Sequence, residues 1–268
     1  MTIDTYVQPN TIEEAYQLAA NDSATIVGGL LWLRLMKKNH ISCAVDCSKL
    51  GLDHIEQTSE GIRIGAYASL RAIETSIVLN KYSHGAFASC TKNIVGVQFR
   101  NLATMGGSIA GRFGFSDLIC VGMSLGMEAE YYHNGRINLE KLMQNGNEIK
   151  RDILTHVWLP DDEVLACAYV AHRNTATDFP VLNVCVTVRR NGAVCTVGAR
   201  PGRAVNVRLP DDFMYEDASA RESFAQDVSQ ILSFGSNGKA SADYRKAICA
   251  VLVRRALEAV DLQLKGEG

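Results

Sequence analysis

Two glycine-bearing junctions constrain this chain more than any other feature. Ala24-Thr25-Ile26-Val27 reads as a short buried strand, runs into Gly28-Gly29, and continues as an apolar helical stretch from Leu30 to Lys38. Later, Gln98 to Asp117 holds Gly106, Gly107, Gly111 and Gly114 together with Ser108 and Ser116. Glycine lets a backbone be approached closely, and the start of a helix presents N–H groups that favour anions. The small and hydroxyl residues of Ala103 to Gly111 suit a backbone nest for phosphate oxygens. A bare Gly-Gly also serves as a tight strand-to-helix turn. The first stretch lacks the G-x-G-x-x-G fingerprint, and the second has no Lys after its glycines, as a P-loop requires. Two such stretches in one chain suit a dinucleotide better than either alone. Asp117 opens an apolar helix, where it reads as a cap shared with Ser116 or as a partner for a ribose or ribityl hydroxyl.

Around these junctions the pattern alternates between helix and strand. Thr11-Ile12-Glu13-Glu14 is a capping box ahead of an apolar helical face. Cys43 to Asp46 and Gly61 to Ala66 read as strands. Helices are expected from Ser69 to about Leu79, Ala86 to Asn93 and Leu118 to Leu125. Asn134-Gly135 and Asn191-Gly192 each mark a two-residue hairpin turn, and the second joins the alternating Leu182–Val188 to Ala193–Ala199. Ile153 to Leu159 reads as a strand ended by Pro160, and a long helix is expected from Ala242 to Leu264. Loops are expected at Gln144–Glu148 and Ser233–Lys239.

Composition removes several function classes. With 27 basic and 29 acidic residues, the basic excess of a nucleic-acid binder is missing. The apolar run Leu118–Met127 is far shorter than the roughly 20 residues of a membrane helix. The N-terminus lacks a basic region followed by an apolar one, so a cytoplasmic protein without a signal peptide is expected. Eight cysteines include no C-x-x-C pair, which favours small buried apolar residues over metal ligands. The six histidines are scattered, and no catalytic side chain or metal site is assigned.

These residues carry a resemblance. The chain resembles the FAD-binding (medium) subunit of the molybdenum hydroxylases, the xanthine dehydrogenase and carbon monoxide dehydrogenase group. Val27-Gly28-Gly29 and the following apolar helix match its first flavin loop. The stretch from Gln98 to Ser108, containing Phe99-Arg100-Asn101-Leu102-Ala103-Thr104-Met105-Gly106-Gly107, matches the second and is the most specific motif. Ser116-Asp117-Leu118, Asp178-Phe179-Pro180-Val181-Leu182, Val197 to Pro201, Ala240 to Arg245 and Val253 to Leu257 follow in the family's order.

The resemblance implies an α+β fold: a two-part FAD-binding domain of the vanillyl-alcohol-oxidase (PCMH) type over residues 1–160, with subparts 1–53 and 54–160. A small α+β domain over 161–268, with a three- to four-stranded antiparallel sheet, would follow. It implies FAD, with the diphosphate held by Val27, Gly28, Gly29, Leu30, Leu31, Trp32, Leu33, Arg34, Thr104, Gly106, Gly107 and Ser108. Asp117 would reach the flavin end, and Ile153 and Leu154 would lie near the adenine. It implies a molybdopterin-binding large subunit and a 2Fe-2S small subunit as partners, electrons entering FAD from the clusters and leaving to NAD+ or another acceptor. The chain departs from the pattern at Leu30 and Leu31, where the family usually has Thr or Asn and then Asp or Glu. Each lost side-chain hydrogen bond costs about 0.5–1.5 kcal/mol, while backbone donors remain. A family Lys is Val170 here, with His172 and Arg173 nearby, and Gly111-Arg112-Phe113-Gly114-Phe115 also differs. These departures motivate an alternative, a paralogue that keeps the fold without the flavin. A stand-alone nicotinamide dehydrogenase is disfavoured by the missing Rossmann fingerprint.

Overall fold

The computed structural model describes residues 1–145 and 151–266. Of the expected loop Gln144–Glu148, Gln144 and Asn145 instead end a helix, and residues 146–148 lie outside the described stretches. In chain order the first elements are β1 (Thr2–Val7), α1 (Ile12–Ala19), β2 (Ala24–Val27), α2 (Leu31–Leu35), β3 (His40–Asp46), β4 (Ile55–Thr58), β5 (Gly61–Gly65), α3 (Leu70–Thr75), α4 (Ile77–Tyr82) and α5 (Ala86–Thr91). There follow α6 (Val97–Leu102), α7 (Met105–Ala110), α8 (Asp117–Ser124), β6 (Glu128–Tyr131), β7 (Gly135–Asn138), α9 (Leu139–Asn145) and β8 (Leu154–Pro160). The chain ends through β9 (Val164–His172), β10 (Leu182–Arg189), β11 (Gly192–Gly198), β12 (Val205–Arg208), α10 (Ala218–Ile231) and α11 (Ala242–Leu264).

Two compact units form, each assembled from separated stretches. The first takes residues 1–73, 96–112 and 127–161; the second takes 74–95, 113–126 and 162–268. The single boundary expected near residue 160 falls beside the last of these passages, and the earlier ones have no counterpart in the sequence pattern.

The first unit holds two sheets. One is parallel, in the order β1-β3-β2, and the other is antiparallel, in the order β4-β5-β8-β6-β7. The expected capping box forms with a shift. Thr11 Oγ1 accepts the Glu14 N–H at 3.1 Å, but the Glu14 carboxylate accepts from Asn10 N, at 2.8 Å, instead of Thr11 N. The β6–β7 turn differs from its sequence signal: Tyr131 pairs with Gly135, leaving the three-residue loop Tyr132-His133-Asn134 and Gly135 at φ +66°. The Asp152 carboxylate fixes that loop by accepting the N–H groups of His133 and Asn134.

The second unit is a four-stranded antiparallel sheet, β12-β11-β10-β9, within the expected three to four strands. The alternation of β10 has a specific cause. Leu182, Val184, Val186 and Val188 join the core with Val253 and Leu257 of α11. The intervening Asn183, Cys185 and Thr187 are also fully buried, on the side of α8. Their polar side chains bond across to α8: Asn183 Nδ2 donates to Asp117 Oδ1, and Ser124 Oγ and Thr187 Oγ1 lie 2.7 Å apart. The hairpin turn is one residue earlier than expected. Arg189 pairs with Gly192, so Arg190 and Asn191 turn the chain, and Gly192, at φ +134°, begins β11. The helix expected from Ser69 to Leu79 is broken, because Ser76 is extended and its Oγ caps a new helix at Leu79 N. Residues 233–239 form no helix or strand, yet they are pinned. The buried Arg245 guanidinium donates to Gly235 O and Ala240 O, both at 2.7 Å, and to Asn237 Oδ1.

Seven cysteines are buried, Cys43 is half-buried, and all eight are thiols. Among the described residues no helix is long and apolar enough to cross a membrane.

Candidate cofactor-binding site

The first glycine junction ends β2. Val27 is buried, and its carbonyl accepts the Tyr67 hydroxyl at 2.5 Å. That hydroxyl also accepts the Cys47 N–H at 2.9 Å, so Tyr67 ties the end of β2 to the end of β3. Burial pushes the Tyr67 phenol well above its ordinary range, keeping it a donor. Gly29, at φ +64°, and Leu30, at φ +62°, are both left-handed. A Cβ on Gly29 would lie 1.9 Å from the Leu102 carbonyl oxygen, so only glycine fits. Leu30 is the N-cap of α2 and has no side-chain capping bond. The first N–H groups of α2 have no acceptor within the helix by its geometry.

The expected helix from Leu30 to Lys38 is therefore a single short turn, Leu31–Leu35. Leu30 and Leu33 pack against Val27, Ile41 and Ala44. Arg34 is exposed and Leu31 half-buried. Trp32 is buried, edge-on to Phe99 at 5.4 Å between ring centroids.

The second stretch is helical where a loop nest was expected. Thr104 is the N-cap of α7, its Oγ1 accepting the Gly107 N–H at 3.1 Å. The remaining amides are committed to the protein. Met105 N donates to Ala68 O at 2.9 Å, Gly106 N to Ala66 O at 2.7 Å, and Ser108 N to Thr104 O. The Ser108 hydroxyl turns inward to the Thr104 carbonyl. The glycines serve close packing. A Cβ on Gly106 would stand 2.8 Å from Ala66 O, and one on Gly107 would stand 2.7 Å from the Trp32 ring.

Between the stretches lies a cleft of about 150 Å³, lined by Gly28 from the first and by Thr104, Gly106 and Gly107 from the second. Leu154 lines it too, whereas Ile153, 1% exposed, packs in the core with Val45 and Leu52. Of the expected residues, then, the first unit brings Gly28, Thr104, Gly106, Gly107 and Leu154 to one cleft. Sequence reasoning missed Tyr67, Tyr131 and Asp152, which line it together with Ile26, Ala66 and Ala110. Asp152 immediately precedes the expected Ile153, and its role at the β6–β7 turn depends on a distant pairing that no local pattern shows. The cleft is smaller than the roughly 300–1,000 Å³ of ligand pockets, with room for no more than one segment of a dinucleotide. Its glycine backbone, Thr104 hydroxyl and apolar walls fit the diphosphate–adenosine portion of FAD. Leu30 and Leu31 add no side-chain donor.

Asp117 lies in the second unit and is 4% exposed. Ser116 alone caps α8, accepting Ile119 N. Asp117 Oδ1 instead accepts the Tyr169 hydroxyl, Arg173 Nη2 at 2.7 Å and Asn183 Nδ2 at 3.3 Å. Burial raises its carboxyl pKa, against the pull of the Arg173 guanidinium and these hydrogen bonds.

Comparison with solved structures places this geometry. The fold is similar to quinoline 2-oxidoreductase from Pseudomonas putida 86, with a TM-score of 0.87 and 19% identity, covering 98% of this chain and 99% of that one. It is similar to a carbon monoxide dehydrogenase from Hydrogenophaga pseudoflava (TM-score 0.84, 17% identity, 98% of each chain). It is also similar to reconstituted CO dehydrogenase from Oligotropha carboxidovorans (TM-score 0.81, 20% identity, 98% and 99% coverage). At these identities the likeness is one of fold. No curated protein sequence matches significantly. Residues 2–162 match the family described as the FAD binding domain in molybdopterin dehydrogenase. The match spans more than half of the chain, and the chain belongs to that family, with FAD as its cofactor.

Proposed function

We propose that this chain is the FAD-binding electron-transfer subunit of a multi-subunit molybdenum hydroxylase. A molybdopterin-binding large subunit and a 2Fe-2S small subunit are its partners. Electrons arrive from the partner's iron–sulfur clusters and leave to NAD+ or another acceptor. The observation that carries the reading is the cleft in which Gly28 meets Thr104, Gly106 and Gly107. Bound FAD supplies chemistry that exchanges electrons singly or in pairs. The protein's part is to hold and orient it. The uncapped start of α2 offers backbone N–H groups to a phosphate, and the Thr104 hydroxyl, whose oxygen already accepts Gly107 N, retains its hydrogen for a second phosphate oxygen. Leu154 and the ring of Tyr131 line the same cleft and would cover the adenosine.

The test is the visible spectrum of the purified chain, then FAD titration of the flavin-free protein followed through Trp32 fluorescence. A flavin spectrum or saturable binding is expected. Co-expression with the large and small subunits is expected to give a stable complex. A second reading, a structural paralogue without flavin, is favoured by one observation: Leu30 occupies a left-handed position without a capping side chain. Absence of flavin and of binding, even with partner subunits present, selects that reading.

A further inference from the structure

In the first unit one residue, Tyr67, joins the two glycine stretches. Its backbone is tied to the second stretch through its neighbours: Gly106 N donates to Ala66 O at 2.7 Å, and Met105 N to Ala68 O at 2.9 Å. Its own N–H donates to Leu52 O at 2.7 Å. Its side chain reaches the other way, to the end of β2. There the phenol ring closes one side of Gly28 and Thr104 closes another. A Cβ on Gly28 would lie 3.5 Å from Tyr67 Cε1 and 3.3 Å from Thr104 Oγ1. The ring is thus part of the cleft wall at Gly28.

The hydroxyl sits inside a strand ladder. In the parallel pair β2–β3 the register runs from Ala24 with Cys43 to Val27 with Asp46, and Cys43 N donates to Ser23 O at 3.3 Å. Bonds in a parallel ladder are evenly spaced. This phase therefore carries the donation from Cys43 to Val45 and then to Cys47, and the last rung would run from Cys47 N to Val27 O. The Tyr67 hydroxyl stands in that rung. It accepts the Cys47 N–H at 2.9 Å and donates to Val27 O at 2.5 Å. The strands are thereby held apart at the residue just before Gly28. Without the hydroxyl the two backbone groups can bond each other directly, so neither is left buried and unpaired.

We propose that Tyr67 is a positioning residue for the cofactor. Its hydroxyl, wedged into the last β2–β3 rung, sets the gap between Gly28 and the wall at Gly106 and Gly107. Through that gap it sets the affinity for the diphosphate–adenosine segment of FAD. The inference rests on the reading of this cleft as an FAD site and adds the residue that holds its width. The phenol touches no reacting atom. It acts on where the Gly28 backbone lies, and a misplacement of about 1 Å is enough to spoil a bound geometry.

Tyr67→Phe keeps the ring and removes the wedge. Titration of the flavin-free chain is expected to show FAD bound about tenfold more weakly. ADP, which carries the same segment, should weaken by the same factor. The thermal midpoint of the flavin-free chain should stay unchanged, because the rung closes on itself. A crystal structure of the variant should show Cys47 N bonded directly to Val27 O and Gly28 displaced. Replacing Tyr67 with 4-aminophenylalanine returns a polar group to the rung and should restore the affinity for both ligands. Unchanged FAD and ADP binding in Tyr67→Phe overturns the proposal, as does a loss of binding that only follows a fall in the thermal midpoint. A variant that does not fold has the same meaning, because the hydroxyl would then hold the fold and not the gap. A wild-type chain that binds neither FAD nor ADP overturns the cofactor reading itself. The crystal structure of Tyr67→Phe still decides the wedge in that case, and an unmoved Gly28 overturns it.

Discussion

The two glycine stretches look alike in sequence and behave differently in structure. At Gly28 to Leu35 the chain starts a helix from a left-handed leucine with no side-chain cap, and helix geometry gives its first N–H groups no partner within the helix. At Thr104 to Ala110 each amide from Met105 to Ser108 is bonded within the protein. The first stretch is suited to grip an anion, and the second is a framework stitched to residues 66–68. The glycines do similar work in both, since Gly29 sits against the Leu102 carbonyl and Gly106 against that of Ala66. Glycine richness thus marks where backbone meets backbone.

Four substitutions test that division. Gly29→Ala places a methyl on the Leu102 carbonyl in a left-handed backbone, and is expected to cost about 3 kcal/mol or more in urea unfolding. A loss under about 1 kcal/mol would break the view that this glycine is a packing requirement. Gly106→Ala, with its Cβ 2.8 Å from Ala66 O, is expected to cost about 1–3 kcal/mol. FAD retention should fall only as far as the folded fraction does. Thr104→Val removes the cap on Gly107 N and should cost about 1 kcal/mol of stability. It should also weaken FAD by about three- to tenfold in equilibrium titration, the worth of one hydrogen bond. Leu30→Asn is the smallest and most informative. Asparagine tolerates the left-handed conformation but gives up the packing of Leu30 against Val27, Ile41 and Ala44, so stability should change by about 1 kcal/mol or less, and the added polar side chain should tighten FAD a few-fold. If Leu30→Asn leaves FAD affinity unchanged while Thr104→Val abolishes it, the roles of the two stretches are reversed.

Much of the fold was legible because its signals are local. The box at Thr11, the alternation of Leu182 to Val188 and the helix Ala242–Leu264 all follow from near-neighbour chemistry. The details that went astray depend on distant partners. Asn191-Gly192 signals a turn, but the register with β9 and β12 sets the turn one residue earlier. The break at Ser76 is instead local: its hydroxyl caps Leu79 N, a use that competes with helix continuation. Residues 233–239 look loose until Arg245, later in the chain, reaches back to them. At the site, Gly28, Thr104, Gly106 and Gly107 were readable as motif residues, whereas Tyr67 and Asp152 act through contacts set by tertiary pairing. Asp117 was readable as a polar residue opening an apolar helix, but not its commitment to Tyr169, Arg173 and Asn183.

The interleaving of the two units bears on how the chain can be made. It passes from one unit to the other after residues 73, 95, 112, 126 and 161. Helix α8 is buried at all eight positions, yet the Cys120 thiol meets the Thr196 carbonyl 76 residues later. At about 5–20 residues per second, a ribosome delivers that partner some 4–15 s after the helix itself. Throughout that interval an apolar helix has no sheet to cover it. Vectorial folding, one finished domain after another, is closed to this chain, and its nascent form is a natural client for holding chaperones.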